Sequence, residues 1–412
     1  MASIQINSIA QEFVPNSFMF RQLSRKFHSL VSFTEEQTLL RNSVREFARR
    51  EIGPLVHKMD KEAKMDEAMV KQLFSAGYMG IEVAEEYGGS NMSFGDSILI
   101  IEEISRVDPA VGVLVDIHNT LITRSLGLFG TDEQKRKFLP RLAGDTVGSF
   151  CLSEANAGSD AFAMKTKAKL LSGNRYAISG EKLWISNSRE ADIFVVFARV
   201  EGSPSEMGAF LVERSDQVGV RAPEKKLGIR ASSTCAVNFV QAEGERLGTV
   251  DGRKISMSLL NEGRIGIAAQ MLGLTKAAFG QSVDHVMTRE QFGKRLFDHQ
   301  AVRFSVAQMH MEISIAEQLI WRAVELKETN QDIKAAAAMT KLYTTELANR
   351  VASQSIDLLG GMGYCSGEGL PEGSGLEKLF RDAKIGTIYE GTSNMQLEAI
   401  AKSLEKSFVN RS

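Results

Sequence analysis

The 412-residue sequence has little of several features that would assign it to a specialised class of protein. Three cysteines, with no C-x-x-C pair, are too few for a disulfide framework and favour a reducing compartment. Seven prolines and 35 glycines exclude collagen-like and low-complexity chains. The 49 basic and 51 acidic residues lack the basic excess of nucleic-acid binders, and 43% hydrophobic residues exclude disorder. No apolar run approaches the roughly 18 residues of a membrane helix.

Motifs of several common enzyme classes are missing as well. No G-x-G-x-x-G lies between a strand and a helix, which argues against a Rossmann nicotinamide site. Arg295, rather than Ser or Thr, follows Gly293 and Lys294, so there is no P-loop. Neither H-E-x-x-H nor G-x-S-x-G occurs, and the six histidines lack metal-ligand spacing. Hydrolase and metal chemistries are therefore without local support, and no metal site is predicted.

The first 30 residues differ from the rest of the chain. Arg21, Arg25 and Lys26 stand among serines and scattered apolar residues, with Glu12 as the single acid. A basic, serine-containing and acid-poor start is typical of mitochondrial transit peptides. We therefore predict a transit-like leader over residues 1–30, with a plain disordered extension as the alternative.

Helical patterns dominate the next part of the chain, residues 34–149. Thr34 and Gln37 fit a helix capping box that starts the ordered structure. Thr131 and Gln134 fit a second box of the same kind. These signals predict an N-terminal domain made of helices.

The pattern changes twice in the remainder. Short β-branched and aromatic runs between turn residues predict a compact β domain over residues 150–246. Residues 250–405 are helical again, and an apolar stripe along 302–323 predicts a long helix of a bundle. Two further long helices are predicted at 265–287 and 335–359. The fold class is therefore α+β in three consecutive parts.

Four segments place small or polar residues where a plain core would not. The loop 150–160 has small residues that let a ligand approach its backbone. Trp184 could stack on the planar ring of a ligand, and the neighbouring Ser186 could donate a hydrogen bond to it. Arg289, just after a long helix, suits a phosphate. Each segment has a plainer alternative. The loop 150–160 could be a surface turn, Trp184 could close the core at a strand end, and Arg289 could belong to a solvated helix end.

The fourth segment, residues 389–396, opens the last predicted helix, with Ser393 and Gln396 as a third capping-box pair. Glu390 precedes this helix among apolar residues. Partial burial would raise the pKa of its carboxyl group and suit it to act as a general base. The alternative is a carboxylate placed there because the helix dipole favours negative charge.

Together these segments resemble the acyl-CoA dehydrogenases, flavin enzymes of fatty-acid and branched-chain amino-acid breakdown. The resemblance extends from residue 34 to residue 405. It rests on six segments in the family order: 85–89, 154–160, 184–186, 289–294, 360–361 and 381–396. Residues 230–235 and 260–267 look most like the short/branched-chain members, which act on short and 2-methyl-branched acyl-CoA.

The resemblance implies a fold and a reaction. The fold is an N-terminal helical domain at 34–149, a middle β-barrel domain at 150–246 and a C-terminal four-helix bundle at 250–405. FAD would bind without a covalent bond between barrel and bundle, in a homotetramer whose subunits complete one another's sites. Glu390 would remove the α proton of an acyl-CoA while a hydride passes to flavin N5. Electrons would then go from the enzyme to electron-transferring flavoprotein in the mitochondrial matrix.

The resemblance also implies roles at individual positions. Glu390 matches the catalytic base, and its backbone N–H matches a donor to the thioester oxygen. The positions that match FAD-binding residues are Phe150, Cys151, Leu152, Ser153, Gly158, Ser159, Trp184, Ile185, Ser186, Arg289, Gln291, Phe292, Gln300, Asp357, Gly360, Gly361, Thr392, Ser393, Asn394 and Gln396. Four of them match the contribution of a neighbouring subunit, namely Gln300, Asp357, Gly360 and Gly361. The positions that match substrate contacts are Ser159, Asn261, Glu262, Gly263, Arg264 and Gly391.

Some positions depart from the family pattern. A few members carry the base immediately before the position of Arg264, but here Gly263 has no carboxylate, so the base falls to Glu390. Asp357 stands where Glu or Gln is commoner, and residues 365–375 form a longer Gly-rich stretch. Arg253 stands where the short/branched-chain enzyme has an aromatic residue that contacts substrate.

Three other functions remain open at this point. One is an acyl-CoA oxidase that passes electrons to O2, and another is a straight short-chain (butyryl) acyl-CoA dehydrogenase. The third is a catalytically silent helical binding or assembly protein. No nucleic-acid partner and no membrane-spanning segment are predicted.

Overall fold

A computed structural model describes residues 30–203, 205–366 and 375–409. The leader predicted for residues 1–30 lies outside this part of the chain except for its last residue. Most of the Gly-rich stretch 365–375 also lies outside it.

The N-terminal part consists of helices whose starts follow from the local sequence. Gln37 N donates to Thr34 Oγ1 at 3.1 Å and Thr34 N donates to Gln37 Oε1 at 3.2 Å, which confirms the first capping box. The same pair of bonds joins Thr131 and Gln134, confirming the second. The helices are α1 (Glu35–Phe47), α2 (Val56–Glu62), α3 (Glu67–Ser75), α4 (Phe94–Ser105), α5 (Pro109–Asp116), α6 (Arg124–Phe129) and α7 (Asp132–Gly144), with π-helical turns at Ala48–Ile52 and Ile117–Thr123.

A buried histidine joins this helical part to the next. His118 Nε2 lies 2.8 Å from Leu142 O, and Gly148 N lies 3.1 Å from His118 Nδ1. Burial lowers the pKa of His118 to about 4, so the imidazole is neutral at neutral pH. The neutral ring can therefore donate through Nε2 and accept through Nδ1, linking α7 to the first strand.

The middle part is a β barrel. Its strands are β1 (Val147–Cys151), β2 (Lys167–Ser172), β3 (Arg175–Ser186), β4 (Ala191–Val200), β5 (Met207–Glu213), β6 (Val218–Val220) and β7 (Thr234–Arg246). Five strands pair in a closed ring, in the order β2, β3, β7, β5, β4 and back to β2. β1 adds parallel to β4, and β6 pairs with β7. Buried phenylalanines, among them Phe194, Phe197 and Phe210, contribute to the core.

The C-terminal part is a bundle of helices. The helices are α8 (Gly252–Thr288), α9 (Gln300–Glu328), α10 (Lys334–Leu359), α11 (Gly361–Tyr364), α12 (Leu376–Ala383) and α13 (Ser393–Val409), with a hairpin of β8 (Glu290–Gln291) and β9 (Lys294–Arg295) after α8. The stripe of α9 is buried from Val306 to Ala323, which confirms the predicted bundle helix. α8 begins earlier than residue 265, because Asp251 Oδ1 accepts from Arg253 N at 2.9 Å and caps it there.

The order of helices, barrel and bundle agrees with the predicted fold class. Among the helices of the described ranges, none is long and apolar enough to cross a lipid bilayer. Nor do His, Cys, Asp and Glu side chains in those ranges form a group of three that could hold a metal ion.

Candidate active site

Glu390 lies in the short segment between α12 and α13, at the centre of a cluster of buried polar groups. Both of its carboxylate oxygens are buried, and neither has a hydrogen-bond partner among the described residues. Burial raises the pKa of the Glu390 carboxyl to about 7, although Lys341 and Arg264 attract its negative charge. A carboxylate with this pKa is suited to take up a proton at neutral pH.

The carboxylate of Glu390 packs directly on the backbone of α8. A Cβ atom added at Gly263 would stand 3.1 Å from both Cδ and Oε1 of Glu390, and closer still to its Oε2. A Cβ atom added at Gly266, one turn further on, would likewise overlap the carboxyl group of Asp116. The two glycines thus give two carboxyl groups access to one face of α8.

The predicted substrate positions on α8 divide between two sides of the helix. Arg264 Nη1 donates to Asn261 Oδ1 at 3.0 Å, and Arg264 Nε is buried without a partner among the described residues. Glu262 points elsewhere, because its Oε2 accepts from Arg124 Nε at 2.8 Å and its Oε1 from Lys327 Nζ. Cations of α6 and α9 thus occupy both oxygens of the Glu262 carboxylate. The structure therefore does not bring Glu262 to Glu390.

A buried lysine that the sequence analysis missed lies beneath this segment. Lys341 Nζ on α10 donates to Tyr389 O at 2.7 Å and to Gly391 O at 2.6 Å, the carbonyls on either side of Glu390. The signal was present in the sequence, because Lys341 falls at helical spacing among Ala338, Thr345 and Ala348, which are all buried. A lysine on an apolar face needs a partner, and here the partner is backbone.

Asp116 and Gln270 were also missed. Asp116 Oδ1 accepts from Thr120 Oγ1 at 3.0 Å, whereas its Oδ2 is buried and has no partner among the described residues. Burial, with the negative charge of Glu390, raises the pKa of Asp116 well above its usual value. Gln270 accepts a hydrogen bond from the Tyr389 hydroxyl and donates to Pro109 O at 2.7 Å. These contacts tie the Glu390 segment to α5 and α8.

The third predicted capping box is wrong. α13 begins at Ser393, so Thr392 is its N-cap residue, and Thr392 Oγ1 accepts from Met395 N at 3.4 Å. The third residue of the helix is then Met395, which has no side-chain acceptor for a reciprocal bond. Gln396 instead donates through Nε2 to Gly391 O at 2.7 Å and to Glu390 O at 3.3 Å. Ser393 and Asn394 begin the helix, half-buried and exposed respectively.

A buried ion pair joins the loop 150–160 to the strand that carries Trp184. Lys182 Nζ donates to Glu154 Oε1 at 2.9 Å and to Leu152 O at 3.0 Å. The other donors to Glu154 are Lys165 N and both N and Oγ1 of Thr166. A buried pair stabilises a site only when its remaining hydrogen bonds are satisfied, and here they are. The loop and the tryptophan are thus held in one fixed arrangement.

The side chains of this barrel region are exposed to different degrees. Cys151, Leu152 and Ile185 are buried, whereas Phe150, Ser153 and Ser186 are half-buried. Gly158, Ser159 and Trp184 are exposed. Trp184 has φ of +58° at a break in the β3–β7 register, and its side chain stays 55% exposed. An exposed indole beside hydroxyls and open backbone fits a planar ring with polar edges.

The remaining predicted cofactor positions lie on the surface of the single chain. Phe292, at the tip of the β8–β9 hairpin, is 94% exposed, and its ring lies edge-to-face with that of His299, with centroids 6.1 Å apart. The other exposed positions are Arg289, Gln291, Gln300, Asp357, Gly360 and Gly361. Within the described ranges, no hydrogen bond or ion pair joins any of them to Glu390 or Trp184.

Family profiles match nearly the whole described chain in three consecutive stretches. The profile of the acyl-CoA dehydrogenase N-terminal domain matches residues 34–146, that of the middle domain 149–242 and that of the C-terminal domain 250–405. The chain belongs to the acyl-CoA dehydrogenase family. It is therefore a flavin-dependent oxidoreductase with the three-part fold of that family, while the domain limits given above remain predictions.

Named acyl-CoA dehydrogenases resemble this one along almost their full length. The mitochondrial short/branched chain specific acyl-CoA dehydrogenase of Rattus norvegicus is 45% identical over 391 residues, covering 93% of this chain and 88% of the relative. Butyryl-CoA dehydrogenase of Megasphaera elsdenii has a TM-score of 0.86 and 32% identity, covering 91% of this chain and 99% of that one. A glutaryl-CoA dehydrogenase of Mycobacterium smegmatis, solved in complex with FADH2, has a TM-score of 0.84 and 26% identity, covering 90% and 95%.

Proposed function

We propose that this acyl-CoA dehydrogenase oxidises short and 2-methyl-branched acyl-CoA thioesters to 2-enoyl-CoA, with FAD as its flavin and Glu390 as its base. The observation that carries the proposal is the Glu390 carboxylate, which is buried against Gly263 with a pKa of about 7 and has no hydrogen-bond partner in the part of the chain that the structure describes. The 45% identity to the short/branched-chain enzyme of rat, against 32% to the butyryl enzyme, favours branched over straight short substrates.

Glu390 performs the acid–base part of this reaction. Its carboxylate takes the proton from the carbon α to the thioester and becomes a neutral acid, a form that burial already favours. Negative charge then develops on the thioester oxygen, which needs a donor held in place beforehand. The N–H of Glu390 has no acceptor among the described residues and is free to be that donor. When bound, FAD supplies the acceptor for the hydride that leaves the β carbon.

We assign the cofactor contacts to the regions in which the exposed side chains lie. Trp184 and Ser186 would hold the flavin ring. Ser153 and Ser159 would contact the side of FAD that faces the barrel, and Thr392 would contact the part of FAD near the start of α13. Arg289, Gln291 and Phe292 would contact the pyrophosphate and adenine side of FAD. The contacts to the FAD of a neighbouring subunit in a homotetramer would come from Gln300, Asp357, Gly360 and Gly361. Electron-transferring flavoprotein is the proposed acceptor, and the mitochondrial matrix the proposed compartment, in keeping with the mitochondrial relative of rat.

Glu390→Gln tests the proposal. The variant keeps the shape of the side chain and removes its basicity, so we expect bound flavin to be retained while turnover falls by roughly 1,000-fold. Glu398→Gln on the exposed face of α13 is the matched control and should turn over like the wild type. Full activity in Glu390→Gln would refute the assignment of the base.

A panel of thioesters tests the substrate class and the alternatives. The rates of oxidation of butyryl-, isobutyryl- and 2-methylbutyryl-CoA are measured in the presence of an artificial electron acceptor. We expect 2-methylbutyryl-CoA to give the highest kcat/KM. Preference for butyryl-CoA would favour the straight short-chain enzyme. Release of peroxide at the rate of substrate consumption would favour an oxidase, and a colourless protein would favour a silent binding role.

A further inference from the structure

Lys341 is buried in an unusual environment for a lysine. Its side chain is fully inaccessible, and none of the ion pairs of the described residues includes it. Its ammonium instead donates to two neutral carbonyl oxygens, those of Tyr389 and Gly391. Burying a charged group in this way is costly, so the arrangement calls for a reason beyond packing.

The two carbonyls control the geometry of the residue between them. A trans peptide places its C=O and N–H on opposite sides, so a Tyr389 carbonyl that faces Lys341 turns the Glu390 N–H away from α10. Glu390 also has φ of +49°, a left-handed conformation that non-glycine residues adopt rarely. Hydrogen bonds hold this conformation: Lys341 donates to the carbonyls on both sides of Glu390, and Gln396 donates to the carbonyls of Glu390 and Gly391.

We infer that Lys341 is a positioning residue for the reaction, holding the carbonyls on both sides of Glu390 so that its carboxylate lies on Gly263 and its N–H points at the thioester oxygen. The inference rests on the function proposed above, in which Glu390 is the base. Lys341 itself touches neither the substrate nor the flavin in this scheme. It acts through the backbone of residues 389–391 and through its charge.

The charge of Lys341 acts on Glu390 together with that of its neighbours. The titratable groups that face the pair from the surrounding elements are Arg264 of α8, Asp116 of α5 and Tyr389. Burial lowers the pKa of Lys341 to about 7, while Glu390 raises it and Arg264 lowers it. Lys341 in turn lowers the pKa of Glu390, so removing the lysine shifts the Glu390 pKa upwards.

Two substitutions separate the hydrogen bonds from the charge. Lys341→Met removes both, and Lys341→Gln removes the charge while its amide keeps two N–H donors. We expect Lys341→Met to move the acid limb of the kcat profile to higher pH and to lower the high-pH plateau by roughly 100-fold, as for a lost oxyanion donor. Lys341→Gln should show the same pH shift with a plateau nearer to the wild type. KM should change less than kcat in both variants.

The control removes one positive charge from the same helix. Lys334→Met, at the exposed start of α10, should keep the wild-type plateau and pH midpoint. A folded, flavin-loaded Lys341→Met enzyme with the wild-type midpoint and plateau would overturn the inference. If Lys341→Met fails to fold, the midpoint of Lys341→Gln decides, and a midpoint equal to that of the wild type overturns the inference.

A measurement without turnover keeps this inference separate from the proposed function. The unfolded chain holds a proton on Lys341 up to about pH 10.5, whereas the folded one releases it near pH 7. Between these values the unfolded state binds more protons, so the stability of the wild type should rise with pH relative to that of Lys341→Met. If the stabilities of the wild type and of Lys341→Met depend on pH in the same way, the burial of a charged lysine is contradicted. If instead the wild type oxidises none of the thioesters, only the proposed function is refuted.

Discussion

Gly263→Ala is the sharpest test of how the Glu390 carboxylate is seated. The substitution adds a single methyl group to the buried face of α8. That methyl would stand 3.1 Å from Cδ and Oε1 of Glu390 and overlap its Oε2. The backbone of a long helix cannot yield, so the carboxylate must move by about 1 Å to reach ordinary contact distance.

The displacement converts into an expected loss of rate. A misplacement of about 1 Å at a reacting group costs on the order of 100-fold, or about 3 kcal/mol of activation free energy. Alanine also favours a helix over glycine by about 1 kcal/mol, so the folded state should lose little stability. We therefore expect kcat to fall by roughly 100-fold with the flavin still bound and the melting temperature nearly unchanged.

The assay compares kcat, flavin absorbance and thermal unfolding for Gly263→Ala, Gly280→Ala and the wild type. Gly280 is the matched control, because it is a buried glycine of the same helix at which an added Cβ has no atom within 4 Å. It should keep full activity and melt slightly higher. A kcat of Gly263→Ala within two-fold of the wild type would refute the packing of the base on α8.

Three further predictions concern stability. Lys182→Met leaves the buried Glu154 without its cationic partner, so we expect a loss of about 3 kcal/mol in urea unfolding. A loss below about 1 kcal/mol would argue against the buried pair. The pKa of His118 is about 4 in the folded state and about 6.5 in the unfolded one. The unfolded state therefore binds more protons between these values, and stability should fall by about 3 kcal/mol as pH drops from 6.5 to 4, a dependence that His118→Gln should lack. Thr392→Val removes the cap of α13 and should cost about 1 kcal/mol, whereas Thr392→Ser should cost almost nothing.

Local patterns in the sequence predict much of this fold because they report interactions over three or four residues. The capping boxes at Thr34 and Thr131 form as their sequences indicate, and the apolar stripe of α9 is buried. The same reasoning fails at Ser393, where a threonine one position earlier takes the cap. Two adjacent hydroxyl residues compete for one helix start, and local pattern alone does not choose between them.

The candidate site is only partly predictable from the sequence. Glu390 stands out among Ile385, Ile388 and Tyr389, and its elevated pKa agrees with that apolar setting. Nothing local links it to Lys341 or to Gly263, which lie far away in sequence on α10 and α8. Glu262 is adjacent to Gly263 in sequence, yet its carboxylate faces the ion pairs with Arg124 and Lys327.

Sequence is therefore sufficient to predict a candidate base, the order of the three parts and the apolar faces, since each depends on residue type and short-range spacing. The packing of α8, α10 and the 389–391 segment sets the surroundings of the Glu390 carboxylate. It places a glycine under the carboxylate, a lysine under the flanking carbonyls and a second buried carboxyl group with a raised pKa nearby. These features depend on which helix faces meet, and that depends on the packing of the whole chain rather than on any one segment.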